Sequence, residues 1–407
     1  MLRKYTGAQL QTRHYCWQQP MEMRKTIPLK YLCLLLCQIK LLLSAINTFW
    51  QYQTQNYRAS LHSILLTEDN MLFCGIDLHS NNSFVVVSDE SDKVLYSRRH
   101  SNNLAEICSA LSLFKADLFG VVVESTFNWY WLVDGLQEAG YVVHLANTTA
   151  IKQYDGLKHR GDESDARHLA HILRLGLLPE GHIMPKALRG ARDLARKRMQ
   201  LVQQRTVQIL SIETSFDQQT GAHMSSNNIK KLSSEEVDGI GLGPMESLCI
   251  KANLAVMQAI QSQLDVLENA LAQYCRSNPA FHLLKSVNGI GDVLATVILL
   301  ETGNIERFAD VGNYASYCRC VGSVHVSNGK KKGEGNTKNG NRYLAWAYVE
   351  AANFAIRYCD AAKKFYQRKK AKRNAVVAIK AVAHKLARAC FHILKTGEVF
   401  SVERCFT

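Results

Sequence analysis

The sequence predicts a mixed α/β domain followed by a mainly helical remainder, and three observations carry that expectation. Short runs rich in β-branched residues begin at Leu72 and follow one another closely: LFCGIDL, SFVVVSD and KVLYSRR. From there to about residue 180 strand-like and helix-like segments alternate, as in a sheet with helices packed on its faces. Between Pro185 and Phe281 no strand signal appears.

Asn81, Asn82, Asp89 and Asp92 separate the first three runs and are turn formers, so these strands are expected to pair as antiparallel hairpins. A helical stretch near residues 104–114 comes next, then a buried-strand run GVVVES. A helix over residues 129–139, the strand YVVHLA, and helices near Thr149 and over residues 163–175 complete the block. The order βββαβαβα is the one used by the ribonuclease H-like fold, which on pattern alone is one candidate among several α/β topologies.

Pro179 and Pro185 close that block. Residues 188–216 form a long charged helical stretch, and Val256, Ile260, Leu264, Leu267 and Leu271 recur at three- or four-residue spacing on one face. Two readings stay open: arms that pair as a coiled coil, or two helices of an intramolecular bundle, because the repeat is too short to fix register or partner. The Ser/Asn/Gly-rich stretch from Gln218 to Gly243 is expected to be a mobile connection. A last domain opens near Phe281 with SVNGIGDVLATVILLETG. There Gly289, Ile290 and Gly291 separate two helical segments, like a helix-hairpin-helix element whose glycines let a DNA phosphate reach backbone amides. The same turn can serve only to cap a helix. The expected division is an atypical leader over 1–70, an α/β domain over 71–180, a helical connector over 181–280 and a C-terminal domain over 281–400.

The formal net charge is +14, and 17 Lys and Arg against 3 Asp and Glu between Ser327 and Lys395 account for all of it. A basic excess confined to one segment suits a surface that meets phosphate backbones, although a solvated helical face has the same composition. Twelve cysteines are scattered, and the closest pairs, Cys33 with Cys37 and Cys318 with Cys320, lack the spacing and companion histidines of a zinc site. Reduced thiols in a cytosolic protein are expected. In the leader, Gln38 and Lys40 interrupt the apolar run from Tyr31 to Trp50. A spanning helix needs about 20 mostly apolar residues, so stable membrane association is not expected. Nothing before Leu72 reads as a domain, and Met71 is the expected natural start.

Asp77 ends an apolar strand in CGIDLHS and Glu124 ends another in VVVESTF; neighbouring strands of one sheet would bring them together. A carboxylate in such a place costs free energy unless it is paired, solvated or bound to a cation. Asp162 and Asp165 stand three apart in GDESDARHLA at the start of a helix and so share a face. Helix capping alone would explain that pair. Four converging acids repel one another unless divalent cations such as Mg²⁺ or Mn²⁺ neutralise them, and two such ions clamp the attacking and leaving oxygens of a phosphodiester.

The segments GIDLHSNNSFVVV, VVVEST, KHRGDESDARHLAHILRLGLLP, SVNGIGDVLATVILLETGNIERF and GNTKNGNRYLAWAYVEAA resemble the DEDD transposases of insertion sequences. The resemblance is to the one-ten family, closest to its eleven-eleven subgroup and related to the Piv-type DNA invertases, and it covers residues 71 to about 397. It implies a resolvase-like, ribonuclease H-fold catalytic domain whose four acids are Asp77, Glu124, Asp162 and Asp165, with Mg²⁺ or Mn²⁺ as cofactor. It also implies a serine that attacks DNA and forms a transient phosphoserine link. By its position before the Lys-rich turn this is Ser327, with Ser323 a competitor because CVGSVHVSNGKKKG departs from the family pattern.

The glycine-rich stretch KKKGEGNTKNGNR is expected to be a flexible loop that orders on nucleic acid, with Lys330, Lys331, Lys332, Lys338 and Arg342 on phosphate. Arg368, Lys369, Lys370, Lys372 and Arg373 in KKFYQRKKAKR extend that surface, with no sequence readout assignable to them. The resemblance further implies DNA element ends and target as partners, a structured noncoding guide RNA, a homo-oligomer, and a place in the bacterial cytoplasm beside the nucleoid. Two other readings carry different tests: a structure-selective junction nuclease using water in place of serine, and an inactive nucleic-acid-binding remnant.

Overall fold

The run LFCGIDL is a strand over its whole length, β1 (Leu72–Leu78), and all its residues are buried because both faces of the sheet are covered. The computed structural model describes residues 71–151, 161–322, 324–333 and 339–406. The leader with its apolar run and the suggested start before Leu72 therefore lies outside the described residues, Met71 apart. β1 pairs antiparallel with β2 (Asn82–Ser88), and β2 with β3 (Val94–Ser101), the two hairpins expected from the Asn and Asp turns. On its other side β1 runs parallel to β4 (Leu118–Glu124), and β4 parallel to β5 (Val143–Ala146). A strand of two residues, β6 (Glu180–Gly181), closes the sheet antiparallel to β5, giving the order β3-β2-β1-β4-β5-β6. β6 is too short to leave any periodicity in the sequence.

Side chains alternate across β1 with a period of two. Leu72, Cys74, Ile76 and Leu78 face Ile107 and Leu111 of α1 (Leu104–Ser112) and Leu132, Val133 and Leu136 of α2 (Tyr130–Glu138). Phe73 faces the opposite way, with Val122 of β4, against Leu169, Ala170, Ile172 and Leu173 of α3 (Asp162–Arg174). The result is a mixed α/β layer with helices on both faces, consistent with the ribonuclease H-like expectation. Near Thr149 the described residues form a turn and not the helix expected there; residues 152–160 lie outside the described residues.

Gly75 decides how close α3 comes to the sheet. A Cβ on Gly75 would lie 1.9 Å from the carbonyl oxygen of Ala166 and 2.8 Å from the backbone nitrogen of Ala170, so the helix backbone rests directly on the strand. The far side of α3 is held by Asp92, which sits at φ 62° in the β2–β3 turn. Its carboxylate takes both Arg174 Nε at 2.9 Å and Arg174 Nη2 at 2.6 Å, and His171 Nδ1 at 2.9 Å.

Two long helices follow, α4 (Lys186–Thr220) and, after the short α5 (Ser226–Ile229) and α6 (Ser234–Asp238), α7 (Pro244–Arg276). They pair with each other antiparallel within the chain: Arg198 meets Glu268, Arg205 meets Gln261 and Ser211 meets Asn253. The seam on α7 runs through Ile250, Leu254, Met257, Leu264, Leu271 and Cys275, with Gln261 and Glu268 in the two intervening places. Of the face expected from the sequence only Leu264 and Leu271 are buried, and Val256 is exposed. The two polar seam residues, satisfied by arginines of α4, hide the true phase of the repeat. Nor is the stretch from Gln218 to Gly243 a loose connection. Ile229 and Val237 are fully buried there, packed with Met224, Leu232 and Leu242 against the ends of both arms, and Ser233 with Glu236 forms a capping box.

The remaining elements are α8 (Pro279–Lys285), α9 (Asp292–Thr302), a 3-10 turn (Ile305–Arg307), α10 (Val311–Tyr317), the hairpin β7 (His325–Ser327) and β8 (Lys330–Gly333), α11 (Arg342–Tyr358), α12 (Asp360–Lys372), α13 (Ala375–Thr396) and α14 (Val402–Phe406). Their shared core includes Leu284, Ile298, Leu344, Leu386 and the fully buried Tyr314 and Tyr348, whose hydroxyls are 2.7 Å apart. Glu301, 2% exposed, joins this core to the arms: Arg196 of α4 gives it two hydrogen bonds of 2.6 and 2.7 Å, and Asn341 Nδ2 a third of 2.7 Å. Arg196 also stacks 4.6 Å from the Tyr343 ring. Among the described residues no helix is long and apolar enough to cross a membrane.

Two substitutions test these contacts by chemical denaturation. Gly75→Ala should cost about 3 kcal/mol, the upper end for overpacking, since backbone rather than a flexible side chain must give way. Arg196→Met should cost about 3 kcal/mol because it strands a buried carboxylate, and a near-neutral result would mean that Asn341 alone suffices to hold Glu301.

Candidate metal centre and nucleic-acid surface

Asp77 lies two residues beyond Gly75 on the same face of β1, and Asp162 lies four residues before Ala166 on α3. Two residues of strand advance ~6.6 Å and four residues of helix ~6 Å, so the close contact at Gly75 delivers the start of α3 to the carboxylate of Asp77. Glu124 comes from the adjacent strand: Ile76 pairs with Val123, and the next pair in that register is Asp77 with Glu124. The two carboxyls are hydrogen-bonded to each other, and Asp77 feels the charges of both Asp162 and Asp165. The structure thus brings Asp77, Glu124 and Asp162 to one end of the sheet, with Asp165 near enough for its charge to act on Asp77 and Glu124.

Asp77 is buried almost completely, which raises its pKa; Glu124 is pushed up to about 7, first by burial and then by its hydrogen bond to Asp77. Glu124 therefore holds the proton of the pair near neutrality. Opposite them, Arg99 of β3 donates to Asp162 Oδ2 at 2.6 Å, and Ser97 donates to Glu163 at 2.8 Å. Arg99 stands in line with the acids across the sheet, since Asp77 pairs with Phe84 and Phe84 with Arg99. Its ring contact with Phe84, 5.8 Å, follows from the same register.

Sequence reasoning missed His79. Its Nε2 lies 3.1 Å from Asp77 Oδ2 and 3.2 Å from Asp162 Oδ1, is shielded from solvent, and is in hydrogen-bonding alignment with neither. Asp77, His79 and Asp162 each offer a ligand atom, all within 4.8 Å of one another. A buried polar atom left without a hydrogen bond beside two carboxylates fits a divalent cation, as does a set of hard oxygen donors. Asp77, His79 and Asp162 could hold that ion. The signal for His79 was its place two residues after Asp77 at a strand end.

Among the described residues, no hydrogen bond or ion pair joins the other expected residues to the acids. Ser327 ends β7, exposed, and among the described residues no hydrogen bond joins it to the four carboxylates. Lys330, Lys331 and Lys332 are exposed on β8, so the expected flexible loop begins as a strand. Asn328 and Gly329 make the two-residue turn at φ 51° and 69°, the Asn-Gly hairpin signal that the lysine-rich composition obscured. Ser323 and Lys338 lie outside the described residues. Beside the hairpin is a cavity of about 910 Å³ lined by Tyr317, Arg319, Val324, Lys331, Asn339 and Lys380. Arg342 is exposed at the start of α11, its guanidinium 4.8 Å from the Tyr343 ring. Arg368, Lys369, Lys370, Lys372 and Arg373 are all exposed along α12 and its end.

The two glycines of the α8–α9 turn differ in kind. Gly289 sits at φ 95°, and a Cβ there would strike the Ala351 carbonyl at 2.4 Å, so packing against α11 requires it. Gly291 is open to solvent at the N-terminus of α9, but Asp292, paired with Lys285 at 2.6 Å, already places a carboxylate at that end.

A model of the IS110-type DEDD transposases matches residues 74–219, and the model described as transposase IS116/IS110/IS902 family matches residues 281–367. The chain belongs to the IS110 family of transposases. A probable family 20 transposase of Pseudomonas aeruginosa is 22% identical over 278 residues, 65% of this chain and 80% of the relative. An uncharacterized 43.6 kDa protein of insertion element IS110 from Streptomyces coelicolor is 23% identical over 161 residues, 39% of this transposase and 40% of the relative. All four acids of the transposase fall inside the first match, and Gly289, Ser327, Lys330 and Arg342 inside the second.

The raised pKa of Glu124 gives a pH test in metal-free protein. The folded state holds this proton more tightly than the unfolded chain, so the contribution favours folding below 4.5 and is lost as pH rises through about 7. Across that range the stability of the wild type should fall relative to Glu124→Gln, measured by thermal melting. A constant difference would mean that Glu124 carries no raised pKa.

Proposed function

We propose that this transposase cuts and joins DNA at the ends of its insertion element, using Asp77, Glu124, Asp162 and Asp165 as a divalent-metal centre and Ser327 as nucleophile. The observation that supports the reading is the acidic cluster around Asp77 and Asp162 at one end of the sheet, in a region that matches DEDD transposases. The ribonuclease H-like and resolvase-like assignment of residues 71–180 belongs to this reading. So do the helical connector over 181–280 and the C-terminal domain over 281–400.

A bound Mg²⁺ or Mn²⁺ would supply charge neutralisation at the scissile phosphate. The chain's own carboxylates then fix where that phosphate sits. Glu124 and Asp162 would turn to such an ion from their present partners, Asp77 and Arg99. Attack by the Ser327 Oγ forms an O–P bond as the bridging P–O bond to the leaving sugar oxygen breaks, and reversal by an incoming hydroxyl joins the new strand. Ser327, exposed on a hairpin, would reach the acids by domain docking or from a second copy in a homo-oligomer. Lys330, Lys331, Lys332, Lys338, Arg342, Arg368, Lys369 and Lys370 meet phosphates of DNA or of a noncoding guide RNA.

Purified full-length protein, Mg²⁺, labelled element-end DNA and its flanking noncoding RNA provide the test. Labelled DNA should become covalently trapped on the protein. Both Asp77→Asn and Ser327→Ala should abolish the adduct while leaving DNA affinity within about threefold, since phosphate contacts dominate binding. Cleaved free ends with no adduct would replace the serine step by hydrolysis, as in a junction nuclease, and cleavage retained in Asp77→Asn would remove the metal centre.

A further inference from the structure

We infer that His79 is itself a ligand of the cation held by Asp77 and Asp162, and that its nitrogen biases the centre toward Mn²⁺ over Mg²⁺. The inference rests on the metal reading above and adds to it a donor outside the four acids.

His79 is fixed in place from three sides. Its backbone N–H donates to the Asn82 carbonyl at 2.9 Å, and its own carbonyl accepts from Asn102 Nδ2 at 3.0 Å and Asn128 Nδ2 at 2.9 Å. Asn102 precedes α1 and Asn128 precedes α2, so the loops leading into two helices hold the residue at the end of β1. The ring is thereby presented to the acids by backbone anchoring, the arrangement of a preorganised ligand.

The geometry at Nε2 separates two roles. A cationic histidine balancing the acids would aim its N–H along a line to one oxygen. Here the oxygens of Asp77 and Asp162 stand at 3.1 and 3.2 Å on either side, and neither is aligned for a hydrogen bond. Neighbouring donors around a six-coordinate ion with bonds of ~2.1 Å are about 3 Å apart, so these separations are those of ligands sharing one ion. Placing an imidazole among oxygen donors matters for choice of metal. Mg²⁺ prefers oxygen and keeps its waters, whereas first-row transition ions gain from nitrogen.

Pulsed electron paramagnetic resonance on the full-length protein loaded with Mn²⁺ reads the ligand directly. The wild type should show nitrogen hyperfine coupling from one bound imidazole, absent from His79→Ala. The Mg²⁺ concentration that displaces half the bound Mn²⁺ should fall about tenfold in the variant, the lower end for loss of a metal-supporting residue. His79→Asn, closer in size, should likewise lose the coupling while still binding Mn²⁺, which covers a failure of His79→Ala to fold. Mn²⁺ bound in a manner that requires Asp77, yet with no nitrogen coupling, would overturn the role of His79 and leave the four-acid centre intact. Absence of Mn²⁺ binding in the wild type, or binding undiminished in Asp77→Asn, would overturn the metal centre and the role of His79 with it.

Discussion

The missing side chain at Gly75 sets the distance between α3 and β1, and the acidic end of the sheet follows from that distance. With the Ala166 carbonyl 1.9 Å from where a Cβ would stand, no other residue lets the helix rest there. The contact acts like the fulcrum of a lever: ~6 Å along each element it sets Asp162 over Asp77. The Asp92 clamp on Arg174 and His171 holds the opposite end of the helix, so α3 is fixed at both ends. β4 then adds Glu124 by register alone.

A cluster so built must be neutralised by something at every stage. Without a cation the charges are met by a proton retained on Glu124 and by Arg99 on Asp162. This contrasts with Glu301, whose charge is met by Arg196 and Asn341. The Glu301 arrangement ties the arms to the C-terminal helices.

Much of this was legible in the sequence, where the local code is strong. LFCGIDL is β1 residue for residue, and the Asn and Asp turns fix two hairpins. Acids ending apolar strands announced Asp77 and Glu124 because burial of a charge needs a cause. The losses have physical reasons too. The seam of α7 was misphased because Gln261 and Glu268 occupy it, satisfied by arginines some sixty residues away in sequence. The cap between the arms, read from its polar composition, folds around two isolated apolar residues, Ile229 and Val237. The β7–β8 hairpin was hidden in a lysine-rich run despite its Asn-Gly turn. His79, Arg99 and Glu301 take their meaning only from contacts across the fold, which no window on the chain contains.

The most direct test of the four-acid centre is anomalous diffraction at the manganese edge from crystals of the full-length protein soaked in Mn²⁺. A peak bridging Asp77 and Asp162, within ~2.2 Å of their carboxylate oxygens, is the expected result. Manganese bound elsewhere, with the Asp77–Glu124 hydrogen bond and the Arg99–Asp162 pair unchanged, would contradict it.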